Sequence, residues 1–206
     1  MSFIYECHDL KQCYDGHDAL NVPEFIVENG EMIILTGPNG AGKSTLLRLL
    51  ALIEQPYSGS LIFNGKAQEV TLLLQEPYLL KMNVFKNVLL GRILRHMSGD
   101  NMAIYMNSMQ TVGFDDPKQF INRGPRQLSG GEKQRVAFAA RLAFEPKILL
   151  LDEPTANVDS HSAKIIAKAI CNARDSGTTI ICATHDTALI RSLNGRIFSL
   201  GKYWDE

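Results

Sequence analysis

Nine consecutive residues constrain this chain more than any others: Gly37-Pro38-Asn39-Gly40-Ala41-Gly42-Lys43-Ser44-Thr45. Their glycines let the backbone curl so that successive N–H groups point inward, a shape that holds phosphate oxygens. Lys43 brings a positive charge toward the β- and γ-phosphates of a nucleotide, and Ser44 offers a hydroxyl suited to Mg²⁺. The run fits the pattern G-x-x-x-x-G-K-[ST]. Its surroundings agree. Glu31–Thr36 reads as a short apolar strand, and Leu46, Leu47, Leu49, Leu50 and Ile53 follow at helical spacing. The loop therefore opens a helix whose N-terminal dipole favours the same anion.

A chain of 206 residues can bury one good core with a small insertion. Its formal net charge of -1 gives no basic field for DNA or RNA, so no nucleic-acid partner is expected. No run approaches the roughly 18 apolar residues of a membrane span. Met1–Cys7 lacks the basic and apolar regions of a signal peptide and is not expected to be one. Cys7, Cys13, Cys171 and Cys182 form no C-x-x-C pair and read as reduced thiols. Cys7 and His8 are neighbours on an extended segment and point to opposite faces, so with Cys13 and His17 they make a poor metal site.

Taken in order, residues 3–30 read as β-rich, with strands at Phe3–Cys7 and Phe25–Val27 joined by polar Tyr14–Asp18. Ser60–Phe63 and Val70–Leu74 read as further strands. From Glu76 to about Ser129 the texture becomes that of several short helices, rich in Met82, Met97, Met102, Met106 and Met109, with Arg92–Met97 and Asp100–Val112 among them. Methionine there suits core filling better than an adaptable surface. An α/β rhythm returns with a strand at Ile148–Leu151, a helix at Ser162–Ala173, and strands at Thr178–Ala183 and Arg196–Leu200. Alternating strands and helices predict a mainly parallel sheet covered on both faces.

Two further stretches carry chemistry. Lys147–Glu153 is an apolar strand ending in two acids, and ligands of open α/β sheets bind outside the carboxyl ends of strands. Asp152 there suits Mg²⁺, and Glu153 is placed to orient and deprotonate an attacking water. Leu128-Ser129-Gly130-Gly131-Glu132-Lys133-Gln134-Arg135 opens a second helix, with Ser129 as N-cap and a glycine pair exposing backbone N–H groups at its positive end. On physical grounds this is either a second anion-binding terminus or an ordinary capped helix.

Together these motifs resemble the nucleotide-binding subunit of ATP-binding-cassette (ABC) transporters, over nearly the whole chain and in that family's order. Gly37–Thr45 is similar to the Walker A motif, Gln75 to the Q-loop glutamine and Leu128–Glu132 to the LSGGQ signature. Ile148–Glu153 is similar to Walker B with its catalytic glutamate, Ala156–Asp159 to the D-loop and His185 to the switch histidine. Tyr14 stands where the family sets an aromatic ring against adenine. Glu132 replaces the usual glutamine, and Ala156-Asn157-Val158-Asp159 replaces the commoner Ser-Ala-Leu-Asp while keeping Asp159.

The resemblance implies a P-loop NTPase fold of the ABC ATPase type. Residues 1–206 would form a single domain, with a RecA-like parallel-sheet and antiparallel β core at 1–75 and 145–206 and a helical subdomain at 76–144. It implies ATP and Mg²⁺ as ligands, with Ser44, Gln75 and Asp152 toward the metal. Tyr14, Gly37, Pro38, Asn39, Gly40, Ala41, Gly42, Lys43, Ser44, Thr45, Ser129, Gly130 and Gly131 would hold the nucleotide, and Glu153, His185 and Gln75 would serve catalysis. It implies a head-to-tail homodimer, membrane permease subunits that dock against Gln75–Val84, a solute-binding protein, and a place on the cytoplasmic face of the inner membrane. Compactness and the run Leu73–Leu80 are most similar to bacterial tungstate- or molybdate-type oxyanion importers. Rival readings are a non-transport ABC ATPase of the cell-division or iron–sulfur-assembly type, a small-molecule kinase, and a module that holds ATP without cleaving it. The short stretch from Gln75 to Leu128 has no sustained heptads, which disfavours the coiled-coil DNA-repair type.

Overall fold

The structure, a computed structural model, describes residues 3–201. Its centre is a five-stranded parallel sheet in the order β5-β6-β7-β3-β8. The strands are β3 (Met32–Thr36), β5 (Val70–Leu73), β6 (Ile148–Asp152), β7 (Thr179–Ala183) and β8 (Arg196–Ser199). All five residues of β6 and of β7 are buried, as a central parallel strand requires.

Strand periodicity sorts the interior into two cores. Met32, Ile34, Leu149, Leu151, Ile180 and Cys182 face one, with α2 (Val84–Leu94), α3 (Asn101–Thr111), α4 (Gly130–Leu142), α5 (Ser160–Asp175) and α6 (Thr187–Leu193) around them. Ile33, Leu35, Ile148, Leu150, Ile181 and Ala183 face the other, under α1 (Lys43–Leu50) and a second sheet. Each fully buried Leu or Ile of these strands contributes roughly 1.5–3 kcal/mol of hydrophobic stabilisation.

The second sheet is antiparallel, ordered β2-β1-β4. It differs from the sequence-based expectation in scale. β1 (Phe3–Tyr14) and β2 (His17–Glu28) run 12 residues each, and β4 is Ser58–Phe63. The polar residues Glu6, His8, Lys11 and Asn21 lie on these strands because only one face of the sheet is buried; Tyr5, Cys7, Leu10, Leu20 and Val22 fill the inner one. Tyr5 also donates its hydroxyl to Leu50 O at 2.8 Å, tying this sheet to the end of α1. The Arg92–Met97 expectation straddles the end of α2, which stops at Leu94. Met109 is fully buried, and Met102 is exposed.

Helix starts are marked by side chains. Asn83, Asp100, Ser129, Asp159 and Asp186 each accept from backbone N–H groups in the first turns of α2, α3, α4, α5 and α6. Among the described α-helices, α1 is the exception: it starts from Gly42 at φ 87°, with no side-chain cap. Among the described residues, no helix is long and apolar enough to cross a membrane.

Candidate functional site

The parallel register brings the chemistry to one edge. Leu35 and Asp152 both pair with Ala183, and Leu151 pairs with Leu73, so the segments that follow β3, β5, β6 and β7 leave the sheet at the same level. A cavity of about 530 Å³ lies there, lined by Tyr14, Ala19, Asn39–Thr45, Gln75, Asp152, Glu153 and His185. Of the residues expected from sequence to meet a nucleotide, only Gly37, Pro38 and Ser129–Gly131 do not line it.

The loop is built around close backbone contacts. A Cβ on Gly42 would stand 2.5 Å from Ala19 O, and one on Gly37 (φ 143°) 2.5 Å from Leu200 O, so neither position admits a side chain. Lys43 spans the loop, its Nζ donating to Gly37 O at 2.8 Å and Pro38 O at 3.0 Å. No side chain caps the first N–H groups of α1, and Lys43, Ser44 and Thr45, which carry them, line the cavity, an arrangement suited to an anion.

Asp152 is 6% exposed and lies beside Ser44, which donates a hydrogen bond to it. Burial raises its carboxyl above the usual range, and Glu153 adds to this; the Ser44 hydrogen bond and the charges of Arg48 and Lys43 offset only part. Glu153 follows with φ 45°, a left-handed conformation uncommon outside glycine. The turn is held on both sides: Glu153 N donates to Ala183 O at 2.9 Å, and the buried Gln134 of α4 donates to Pro154 O at 3.1 Å. Oε1 of the Glu153 carboxylate lies 2.7 Å from His185 Nδ1. Oε2 accepts from the Thr184 hydroxyl at 3.1 Å and from His185 N at 3.4 Å.

Tyr14 closes β1 and is one of the residues that line the cavity. Ser129 and Gly130 are exposed at the start of α4. There Ser129 and Glu132 form a capping box: the Ser129 hydroxyl accepts from Glu132 N at 3.2 Å, and Glu132 Oε2 accepts from Ser129 N at 2.7 Å. Gly131 faces Asp159, the cap of α5, and a Cβ there would meet its Oδ2 at 3.6 Å. Asp159 accepts from Ser162 N, the Ser162 hydroxyl and His161 N, which hold its carboxyl down to about 2.

Thr184 was missed in the sequence. It has no motif of its own, although a hydroxyl beside a histidine at a buried strand end is a usable signal. Glu54 and Arg48, which meet Tyr14, were also missed; nothing in their spacing signals that contact.

Comparisons with known proteins agree with this geometry. A family profile described as ABC transporter matches residues 20–156. The tungstate uptake system ATP-binding protein TupC of Peptoclostridium acidaminophilum is 34% identical over 198 residues, covering 93% of this chain and 92% of that protein. The cell division ATP-binding protein FtsE of Escherichia coli K12 is 35% identical over 209 residues, covering 94% of this chain and 92% of that protein. Among solved structures, a dimeric post-hydrolysis state of the ATP-binding cassette MJ0796 bound to ADP and Pi superposes with a TM-score of 0.85 at 25% identity, over 95% of this chain and 94% of that one. A phosphate loop that opens an uncapped helix, an acid pair at the neighbouring strand end and these matches lead to one conclusion: the chain belongs to the ABC transporter family, as an ATP-hydrolysing, nucleotide-binding subunit.

Proposed function

We propose that two copies of this chain close head to tail over two ATP molecules, and that hydrolysis in the closed pair drives a solute across a membrane through partner permease subunits. One observation carries the reading. The Ser129–Gly130 helix terminus is exposed and does not line the phosphate cavity of its own chain. A second copy would supply the missing N–H donors. The dimeric likeness to MJ0796 supports the same arrangement.

In this reading Lys43 leaves its loop carbonyls for the β- and γ-phosphates, and the free N–H groups of α1 take the phosphate oxygens. Tyr14 stacks on the base. Ser44, Asp152 and Gln75 are oxygen donors that line the cavity, Ser44 hydrogen-bonded to Asp152, a hard donor set that fits Mg²⁺. Bound there, the metal would neutralise charge on the transferring phosphoryl group. Glu153 takes the proton of the attacking water, and His185 holds the carboxylate and meets the γ-phosphate with its outer nitrogen. Loss of that phosphate reopens the pair.

The permease docks beside Gln75. Tyr78, Leu80 and Leu94 are exposed around a groove of about 280 Å³ with Leu79, Leu90 and Phe144, a size and chemistry suited to a short amphipathic helix. That contact would hold the subunit peripherally on the cytoplasmic face of the membrane. The likeness to TupC supports an oxyanion such as tungstate as solute, and a solute-binding protein would deliver it. The equal likeness to FtsE supports a second reading, in which the pair serves cell division instead. Tungstate-stimulated ATP hydrolysis by the chain with its co-purified permease and solute-binding protein separates the two.

The test of the motor is Glu153→Gln. ATP binding should persist, hydrolysis should fall by about 10²- to 10⁴-fold, and the protein should elute as an ATP-dependent dimer. Turnover at the wild-type rate, or a monomer at saturating ATP, overturns the reading.

A further inference from the structure

The Tyr14 hydroxyl is held by two charged side chains. The hydroxyl donates to Oε2 of Glu54, in the turn after α1, and accepts from Arg48 Nη2 at 3.3 Å. The Arg48 guanidinium also pairs with Glu54, its Nε standing 2.7 Å from Oε1. The same Nη2 reaches Thr45 Oγ1 at 3.2 Å, inside the phosphate loop. On the other side, the buried Gln12 of β1 donates to Gln55 O at 3.2 Å and to Glu54 Oε2 at 3.4 Å, while its Oε1 accepts from Tyr57 N at 2.9 Å. The end of β1 is thus stitched to the turn after α1, with the Glu54 carboxylate as the knot. Burial raises the Glu54 carboxyl, but hydrogen bonds from Tyr14, Arg48 and Gln12 prevail and hold it below its ordinary value. An ionised carboxylate only accepts, so the tyrosine hydroxyl is turned toward Glu54 as donor.

We propose that Glu54 is a positioning residue for the nucleotide base: by holding the Tyr14 hydroxyl it turns the ring face into the cavity, and through Arg48 it fixes that face relative to Thr45 of the phosphate loop. The proposal rests on the reading that Tyr14 stacks on the base. A ring free to rotate about χ1 would lose part of its contact to motion before the base arrives; a clamped one is ready for it. An ordinary solvated ion pair between Arg48 and Glu54 would contribute little to stability and nothing that depends on the base.

The experiment measures binding of ATP and of inorganic tripolyphosphate to the full chain by calorimetry without Mg²⁺. Tripolyphosphate fills the loop but has no base to stack. Tyr14→Ala should weaken ATP binding by about 5-fold or more, the lower range of base–aromatic stacking, and leave tripolyphosphate binding unchanged. Glu54→Ala should reproduce a large part of that loss, about 3-fold or more, again for ATP only. Tyr14→Phe, which keeps the ring but cuts the clamp, should match Glu54→Ala, and the double variant should be no worse than either. Glu54→Gln, which still accepts from the hydroxyl, should return ATP affinity toward wild type.

Three results would overturn it. If Tyr14→Ala weakens ATP binding and Glu54→Ala does not, the platform stands but Glu54 does not position it. If Glu54→Ala weakens both ligands by the same factor, its role is general to the fold. If Tyr14→Ala leaves ATP binding unchanged, the stacking reading falls and the proposal falls with it.

Discussion

His185 Nδ1 lies 2.7 Å from Glu153 Oε1, and the two side chains sit in opposite environments: that of His185 is 73% exposed and that of Glu153 10%. A carboxylate only accepts, so Nδ1 is the donor in this contact. The buried acid and the exposed ring thereby hold each other in place. The carboxylate is held at its other oxygen too, by Thr184, whose side chain is fully buried.

Thr184→Val is the sharpest test of that hold. The change keeps the shape, removes the hydroxyl that donates to Glu153 and takes away the acceptor for Asp186 N at 3.1 Å. The turnover rate should fall about 10-fold with KM nearly unchanged, because the loss lies in orienting the base and not in binding. Thr184→Ser, which keeps the hydroxyl, should restore it. Steady-state kinetics of the two variants, side by side, decide the point.

Lys43→Ala removes the only side chain that bridges Gly37 O and Pro38 O among the described residues. Both the preformed loop and the positive charge go with it. ATP affinity should fall at least about 10-fold, since a charge-assisted contact to phosphate is worth roughly 1.5–3 kcal/mol. Equilibrium titration with a fluorescent ATP analogue measures this; unchanged affinity would show that the loop does not bind phosphate.

Ser129 separates local stability from pairing. Ser129→Ala cuts the cap of α4 and should cost about 1 kcal/mol of stability by urea unfolding. Ser129→Trp places a bulky group on an exposed helix terminus. It should leave ATP binding to the single chain intact while abolishing ATP-driven dimerisation, read by light scattering. Normal dimers of the tryptophan variant would mean that this terminus does not meet a partner's nucleotide.

Much of this site could be read from residues alone. Glycines at 37, 40 and 42, and apolar runs ending at Asp152 and Ala183, are local signals, and parallel register carries them to one edge. What escaped depends on long-range contact. The lengths of β1 and β2 were hidden because a half-exposed sheet intersperses His8, Lys11 and Asn21 with its core residues. Arg48, Glu54 and Tyr14 meet across three elements, and no spacing rule joins positions 40 residues apart in the chain. Glu132 sat in plain view: with Ser129 three residues before it, the pair spells a capping box, so the acid that stands for the family's usual glutamine has a local structural role.

Asp159 gives the chain an acid-sensitive joint. Its carboxyl, ordinarily near 3.8, is held down to about 2 by hydrogen bonds from Ser162 and His161. A depressed folded-state value means that its contribution is fully present above the unfolded value and is lost as pH falls through the folded one. Between about pH 4 and pH 2, wild-type stability should therefore drop more steeply than that of Asp159→Asn, which has no such proton to take up. Thermal melts across that range check the slope; identical slopes would show that the cap does not titrate as described.

The bond from Lys43 to its own loop has a kinetic meaning. Because the cation already bridges two carbonyls of the loop, an arriving nucleotide swaps contacts and does not have to organise a slack segment. Little ordering entropy remains to be lost at the phosphate end, so capture there should proceed close to the encounter rate. In the proposed pair, the meeting of two whole subunits would then be the slower event.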